Sequence, residues 1–277
     1  MNAASLPYTV LVLLVELAVG GLAVVTLFDA RRQVTPGYVK AGALTLLPTV
    51  LLAAWAYTSL TPVAEVDGYR LASAWLRPFG VVLAVLVALF AAYTVAVMAG
   101  RRGASIGLGT AGSGAGVVAL ALLAALLGPP AWSTAGMFAS LLVAAVVLGA
   151  ALMSMMWGHW YLTSGRLPKE PMEQMALLLL GAIALQVVLV ALGALLPARE
   201  VPPAESALGL GLAQNPAFWL RVGVGLLFPL AVTALAWKTA TIRGMMSATG
   251  LLYIALGALL AGEVLARGLL FTTGAAV

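Results

Sequence analysis

Glu16, Glu263 and Arg267 stand inside hydrophobic stretches built almost wholly from Ala, Leu, Val and Gly. An ionisable side chain near a bilayer centre costs on the order of 2.5–3.5 kcal/mol on insertion scales, so such residues persist where they are paired or used. Glu263 and Arg267 are spaced i, i+4 with the acid first, which places them on one helix face in the favourable order. Two carboxylates and a guanidinium at one depth are suited to exchanging a proton, holding an ion or contacting a polar head group. The competing reading is a Glu263–Arg267 pair that satisfies itself within one helix, with Glu16 protonated or bonded to a neighbouring helix. The chemistry turns on whether Glu16 reaches the same place.

Composition names the elements that must position them. Of 277 residues, 63% are hydrophobic and only 8% charged, against roughly 25% charged in a soluble domain. This is an all-α, polytopic membrane helix bundle. At about 20 residues per span the apolar runs consume most of the chain, so a single integral membrane domain over 1–277 is expected. The net charge of +5 would suggest nucleic acid in a soluble protein. Here the cations lie in short loops beside apolar spans, where topology accounts for them, and no nucleic-acid partner is expected. The absence of Cys removes disulfides, thiolate iron–sulfur ligation and cysteine nucleophiles from this chain.

Eight candidate spans follow, at about 8–29, 38–60, 76–99, 107–128, 133–157, 172–197, 216–237 and 248–273. They are separated by Pro, Gly or charge, as at Thr35-Pro36-Gly37, Thr61-Pro62, Gly128-Pro129-Pro130, Leu167-Pro168-Lys169 and Val201-Pro202-Pro203. No Lys or Arg precedes the first span while Arg31 and Arg32 follow it, so it is expected to remain as a helix rather than be cleaved as a signal peptide. Arg31, Arg32, Lys40, Arg101, Arg102, Arg166, Lys169, Lys238 and Arg243 lie in or beside the odd-numbered loops. Arg70, Arg77, Arg199 and Arg221 lie at the other end. The positive-inside rule then predicts both termini outside. The longer outer loops, about 61–75 and 198–215, carry Glu65, Asp67, Glu200 and Glu205 and offer the best surface for an external partner. Two four-span halves would be a natural repeat, but residue identity between them is poor.

In this frame Glu16 lies about 12 Å from the outer end of its span at 1.5 Å per residue, and Glu263 lies at nearly the same depth in the last. If the first and last helices are neighbours, the three charges line a pocket opening toward the outer leaflet. Gln186 sits mid-span in the sixth helix, where it can hydrogen-bond another helix or touch a ligand. Pro48 and Pro229 lie inside spans and should kink them or open a backbone carbonyl.

His159 is the only histidine and belongs to Trp157-Gly158-His159-Trp160-Tyr161. One imidazole cannot supply bis-histidine haem ligation, and without Cys or neighbouring acids no metal site is expected. An interfacial aromatic belt is the favoured reading, ahead of a quinone-contacting histidine. Met153, Met155 and Met156 read as packing. Gly107-Leu108-Gly109-Thr110-Ala111-Gly112 satisfies G-x-G-x-x-G, but no strand precedes it, and Gly112 with Gly116 forms a GxxxG pair that predicts close helix packing. A Ser113–His159 catalytic pairing is disfavoured, because the serine is near a helix start and the histidine near a membrane surface.

Val15-Glu16-Leu17-Ala18-Val19-Gly20-Gly21 in the first span and Gly262-Glu263-Val264-Leu265-Ala266-Arg267-Gly268-Leu269-Leu270-Phe271 in the last, with eight spans and both termini outside, resemble the membrane anchor subunit of DMSO-reductase-type molybdoenzymes. That family is related more distantly to the NrfD and polysulfide-reductase anchors. The family's histidine near the third helix has no counterpart here.

The resemblance implies a multi-pass subunit of the bacterial inner (plasma) membrane. It would have no cofactor of its own, would use quinone or quinol as exchangeable substrate, and would dock an iron–sulfur or molybdopterin-type partner outside. Glu16 and Glu263 would then exchange the quinol proton, with Arg267, Gln186 and His159 as candidate quinone contacts. Whether the chain itself catalyses is left open. A small ion-coupled transporter using the same acids, and a scaffold subunit of a larger complex, remain alternatives.

Overall fold

The computed structural model describes residues 5–60, 63–128, 133–164, 167–196 and 211–277. Thr61-Pro62, Pro129-Pro130, Arg166, and the outer-loop residues Arg199, Glu200, Pro202, Pro203 and Glu205 lie outside them. The elements are α1 (Leu6–Ala30), α2 (Pro36–Thr58), β1 (Glu65–Val66), β2 (Tyr69–Arg70), α3 (Leu76–Met98), α4 (Arg102–Leu127), α5 (Thr134–Ser164), α6 (Glu170–Leu195), α7 (Pro216–Val222), α8 (Phe228–Thr241) and α9 (Met245–Thr273). Gly223–Leu227 is a π-helical segment that joins α7 to α8 into one long span. Eight helical spans are thus long and apolar enough to cross a membrane, and the protein is a multi-pass all-α bundle.

The break read at Thr35-Pro36-Gly37 becomes a cap, and Asn215-Pro216 supplies another. The Thr35 side chain accepts from the Tyr38 amide with Pro36 at the first helical position, and Asn215 accepts from Ala217 ahead of Pro216. At the other extreme α9 closes on Gly274 in the left-handed conformation.

The helices form two rings with the same connectivity. α1 packs on α2, α2 on α3, α3 on α4, and α4 returns to α1; likewise α5 packs on α6, α6 on α8, α8 on α9, and α9 returns to α5. Four spans per half make equivalent helices parallel, so the repeat that residue identity hides is present in the packing. The rings meet chiefly along α1 and α5. There Gly20 and Gly149 face one another so closely that a Cβ on either would strike the other helix's backbone. On the neighbouring face, Gly109, Gly112 and Gly116 of α4 fit over Thr26, Leu22 and Val19 of α1, as the GxxxG spacing predicts.

The loop between α2 and α3 folds into a hairpin whose central residues, Asp67 and Gly68, have φ of 52° and 83°, as a type I′ turn requires. Glu65 and Arg70 stay exposed while Val66 and Tyr69 are buried. The Tyr69 ring meets Phe271 of α9 edge-on at 5.8 Å between centroids, and Tyr8 of α1 meets the same ring at 6.3 Å. The hairpin therefore roofs the end of the bundle where α1 begins and α9 ends.

Candidate functional site

α1 and α9 do touch, and they do so through charge. Arg267 Nη2 lies 2.5 Å from Glu16 Oε1 and 3.2 Å from Glu263 Oε2. The three residues expected from the sequence are brought together, about 15 Å along α1 from Leu6 at 1.5 Å per residue.

The cluster is larger than expected. Arg221 Nη2 donates to Glu263 Oε1 at 2.9 Å, and Gln186 Nε2 donates to the same oxygen at 2.5 Å. α6, α7 and α9 of the second ring thus contribute Gln186, Arg221, Glu263 and Arg267, and α1 of the first ring contributes Glu16. Two carboxylates face two guanidiniums, and each side chain in these ion pairs is no more than 4% exposed. Glu263 is the hub, because it alone contacts both arginines and the amide. Glu16, Glu263 and Arg267 are 0%, 0% and 3% exposed, and Arg221 and Gln186 pack against Glu263 beside them.

Arg221 is the residue that sequence reasoning misplaced, by counting it among the loop cations. It is 1% exposed. Its position inside the seventh span, five residues after Pro216, was the available signal, and Pro229 was the second. Proline cannot donate to the carbonyl four residues back, which here belongs to Gly225. The chain answers with the π-helical segment Gly223–Leu227, and Arg221 Nη1 lies 3.5 Å from that Gly225 carbonyl. Gly225 and Gly262 make the approach possible: a Cβ on Gly262 would come within 2.6 Å of the Gly225 Cα and 2.8 Å of Arg221 Nη1. Two glycines therefore let α9 close on the π segment and bring Arg221 to Glu263.

Around this network several polar atoms remain without a protein hydrogen-bond partner: the acceptors Glu16 Oε2 and Gln186 Oε1, and the donors Arg221 Nε and Arg267 Nε. Leaving a buried donor or acceptor unmatched costs about 1–3 kcal/mol. One turn past Arg267, Phe271 with Tyr8 and Tyr69 seals the end of the bundle above the cluster. Beside it, between α6 and α7, lies an almost wholly apolar cavity of about 230 Å³ lined by Val187, Val190, Phe218, Val222 and Leu226 among others. Val187 follows Gln186 directly and Val222 follows Arg221, so the cavity abuts the backbone that carries two members of the cluster.

His159 is not part of this site. It is exposed at the opposite end of the bundle, with Nδ1 3.3 Å from the Tyr253 hydroxyl. Trp157 is also not in an aromatic belt: it is fully buried, edge-on to Tyr38 at 5.1 Å, because the Tyr38 hydroxyl reaches the Met153 carbonyl and draws α2 against α5. Met153 is buried in that contact, and Ser113 Oγ donates to the Gly109 carbonyl within α4, with His159 engaged elsewhere. No family model, curated protein or solved structure matches the chain.

Proposed function

We propose that the protein is an integral subunit of a respiratory oxidoreductase in the bacterial inner membrane, and that its buried cluster binds quinone or quinol for an iron–sulfur or molybdopterin-type partner docked outside. The observation that carries this reading is the mixed set of unmatched atoms, together with an apolar cavity lined by the chain neighbours of Gln186 and Arg221. A quinone offers carbonyl acceptors and its quinol offers hydroxyl donors, which complement Arg221 Nε and Arg267 Nε on one side and Glu16 Oε2 and Gln186 Oε1 on the other. The cavity between α6 and α7 supplies the apolar wall such a ring needs. Glu16 is the better candidate for proton exchange, since Glu263 is held by three donors and Glu16 by one. Arg267 would hold both carboxylates ionised between proton transfers.

The orientation with both termini outside rests on the cations. With Arg221 removed from the loops, the outer side retains Arg70, Arg77 and Arg199 against the same nine on the other.

A second reading has one specific observation in its favour. The π-helical segment and Pro229 interrupt the seventh span beside a buried carboxylate, which is also how ion-coupled transporters build midplane sites. The two separate on ligand type. The purified chain should bind a ubiquinone or menaquinone analogue stoichiometrically, with Gln186→Leu weakening it about tenfold, since one hydrogen bond to a charged or polar head is worth about 1.5 kcal/mol. Absence of quinone binding together with cation uptake in vesicles of the chain alone would replace the first reading with the second.

A further inference from the structure

At the end of the bundle remote from the acidic cluster, the first ring carries a second cavity, of about 260 Å³, lined by Asp29, Pro36, Val39, Lys40, Val97, Gly100, Arg102 and Ser105. It lies where α1 and α3 end and α2 and α4 begin. Three features give it a ligand chemistry. Arg102 is fixed rather than free: its Nε donates to Asp29 Oδ1 at 3.0 Å and its Nη2 to the Asp29 carbonyl oxygen, while the side chain stays 39% exposed. That arrangement commits one edge of the guanidinium to Asp29, and among the described residues Nη1 has no hydrogen-bond partner. Lys40 is exposed, and the ion pairs among the described residues do not include it.

The wider charge balance points the same way. Lys40 and Arg102 line the cavity with Asp29 as the one acid, and Arg31, Arg32 and Arg101 stand close by in the chain, in the turns that join α1 to α2 and α3 to α4. A cavity in a membrane protein lined by two cations and one acid, with three further cations in the adjoining turns, suits an anion. Its floor is apolar, formed by Pro36, Val39 and Val97, which a free inorganic anion does not need and a lipid does.

We propose that this cavity is a binding site for the phosphate headgroup of an anionic phospholipid, held by Lys40 and Arg102 at the level of the helix ends. Asp29 acts here as a positioning residue: it orients Arg102 toward the cavity and touches no phosphate itself. The glycerol and upper acyl carbons lie against Val39 and Val97. Basic pockets between helices on the cation-rich side are a recognised form of lipid recognition, with each cation worth about 1 kcal/mol near the surface. Loss of one such cation should therefore weaken binding about fivefold. The site is independent of the quinone reading and of the partner proposed above.

The test uses the full chain purified in mild detergent, with native mass spectrometry of bound phosphatidylglycerol and phosphatidylcholine at matched acyl chains. The wild type should prefer phosphatidylglycerol, and Lys40→Gln should cut that preference about fivefold. Lys238→Gln removes an exposed cation on the other ring and should leave it within twofold. Equal binding of the two lipids would overturn the proposal. So would an equal loss in the Lys40→Gln and Lys238→Gln variants, because it would make the preference a diffuse surface effect. Millimolar inorganic phosphate should fail to displace the lipid; complete displacement would reassign the cavity to a free anion. Among the described residues Lys40 is in no ion pair, so its substitution should leave the thermal midpoint unchanged, which separates loss of lipid from loss of fold.

Discussion

Arg221 Nη2 and Glu263 Oε1 lie 2.9 Å apart with both side chains 1% exposed, so the seventh and eighth spans are joined by an ion pair buried inside the bundle. Removing Arg221 leaves two buried carboxylates, Glu16 and Glu263, sharing the single guanidinium of Arg267, and loss of one partner of a buried pair costs about 3–5 kcal/mol. Arg221→Leu should lower the thermal midpoint in detergent sharply. The double variant Arg221→Leu, Glu263→Gln should recover part of that loss, since it removes a pair and leaves Arg267 with Glu16. A single Arg221→Leu variant as stable as the wild type would contradict the pairing.

Gly20 and Gly149 set the distance between the two rings. Gly149→Ala places a methyl group on the Gly20 backbone, so the helices must separate, and overpacking of this kind costs about 1–3 kcal/mol. Gly107→Ala is the control, because nothing lies within 4 Å of its Cβ position. It should be neutral or stabilising by up to about 1 kcal/mol from helix propensity. Thermal unfolding of the two variants side by side measures the difference.

Gly68 adopts a φ of 83° in the hairpin turn. Gly68→Val should cost about 1–2 kcal/mol of local strain and loosen the roof that Tyr69 makes over Phe271. Limited proteolysis should then cut the segment between α2 and α3 faster than in the wild type, with cleavage elsewhere unchanged. Unaltered cleavage would show that the hairpin does not depend on the turn.

Much of this architecture is legible in the residues. Runs of apolar side chains bounded by Pro and Gly locate the eight spans, and the i, i+4 spacing of Glu263 and Arg267 places two charges on one face. The pairing of Glu16 with Arg267 across 251 positions is not local, and no periodicity within one helix reports it. Arg221 is hidden for a different reason. An arginine five residues into a span has the composition of an interfacial cation, and only the close approach of Gly225 to Gly262 draws it inward. The repeat of two rings is invisible for a third reason, since lipid accepts many apolar sequences on the same packing geometry. Asp67-Gly68 is itself a hairpin signal, and the 61–75 stretch around it, expected as an outer loop, holds that turn.

The central claim is that the Glu16, Glu263 and Arg267 cluster exchanges protons with quinol. Glu16→Gln is the cleanest probe, because it leaves the contacts of Glu263 with Arg221, Gln186 and Arg267 in place. The measurement is quinol-linked turnover of the assembled complex carrying that variant, with assembly checked by co-purification of the partner subunits. A positioned proton-transfer group contributes about 10²–10⁴-fold, so turnover should fall by at least ~100-fold with the complex intact. Turnover within twofold of the wild type in an intact complex would show that the cluster only holds the helices together.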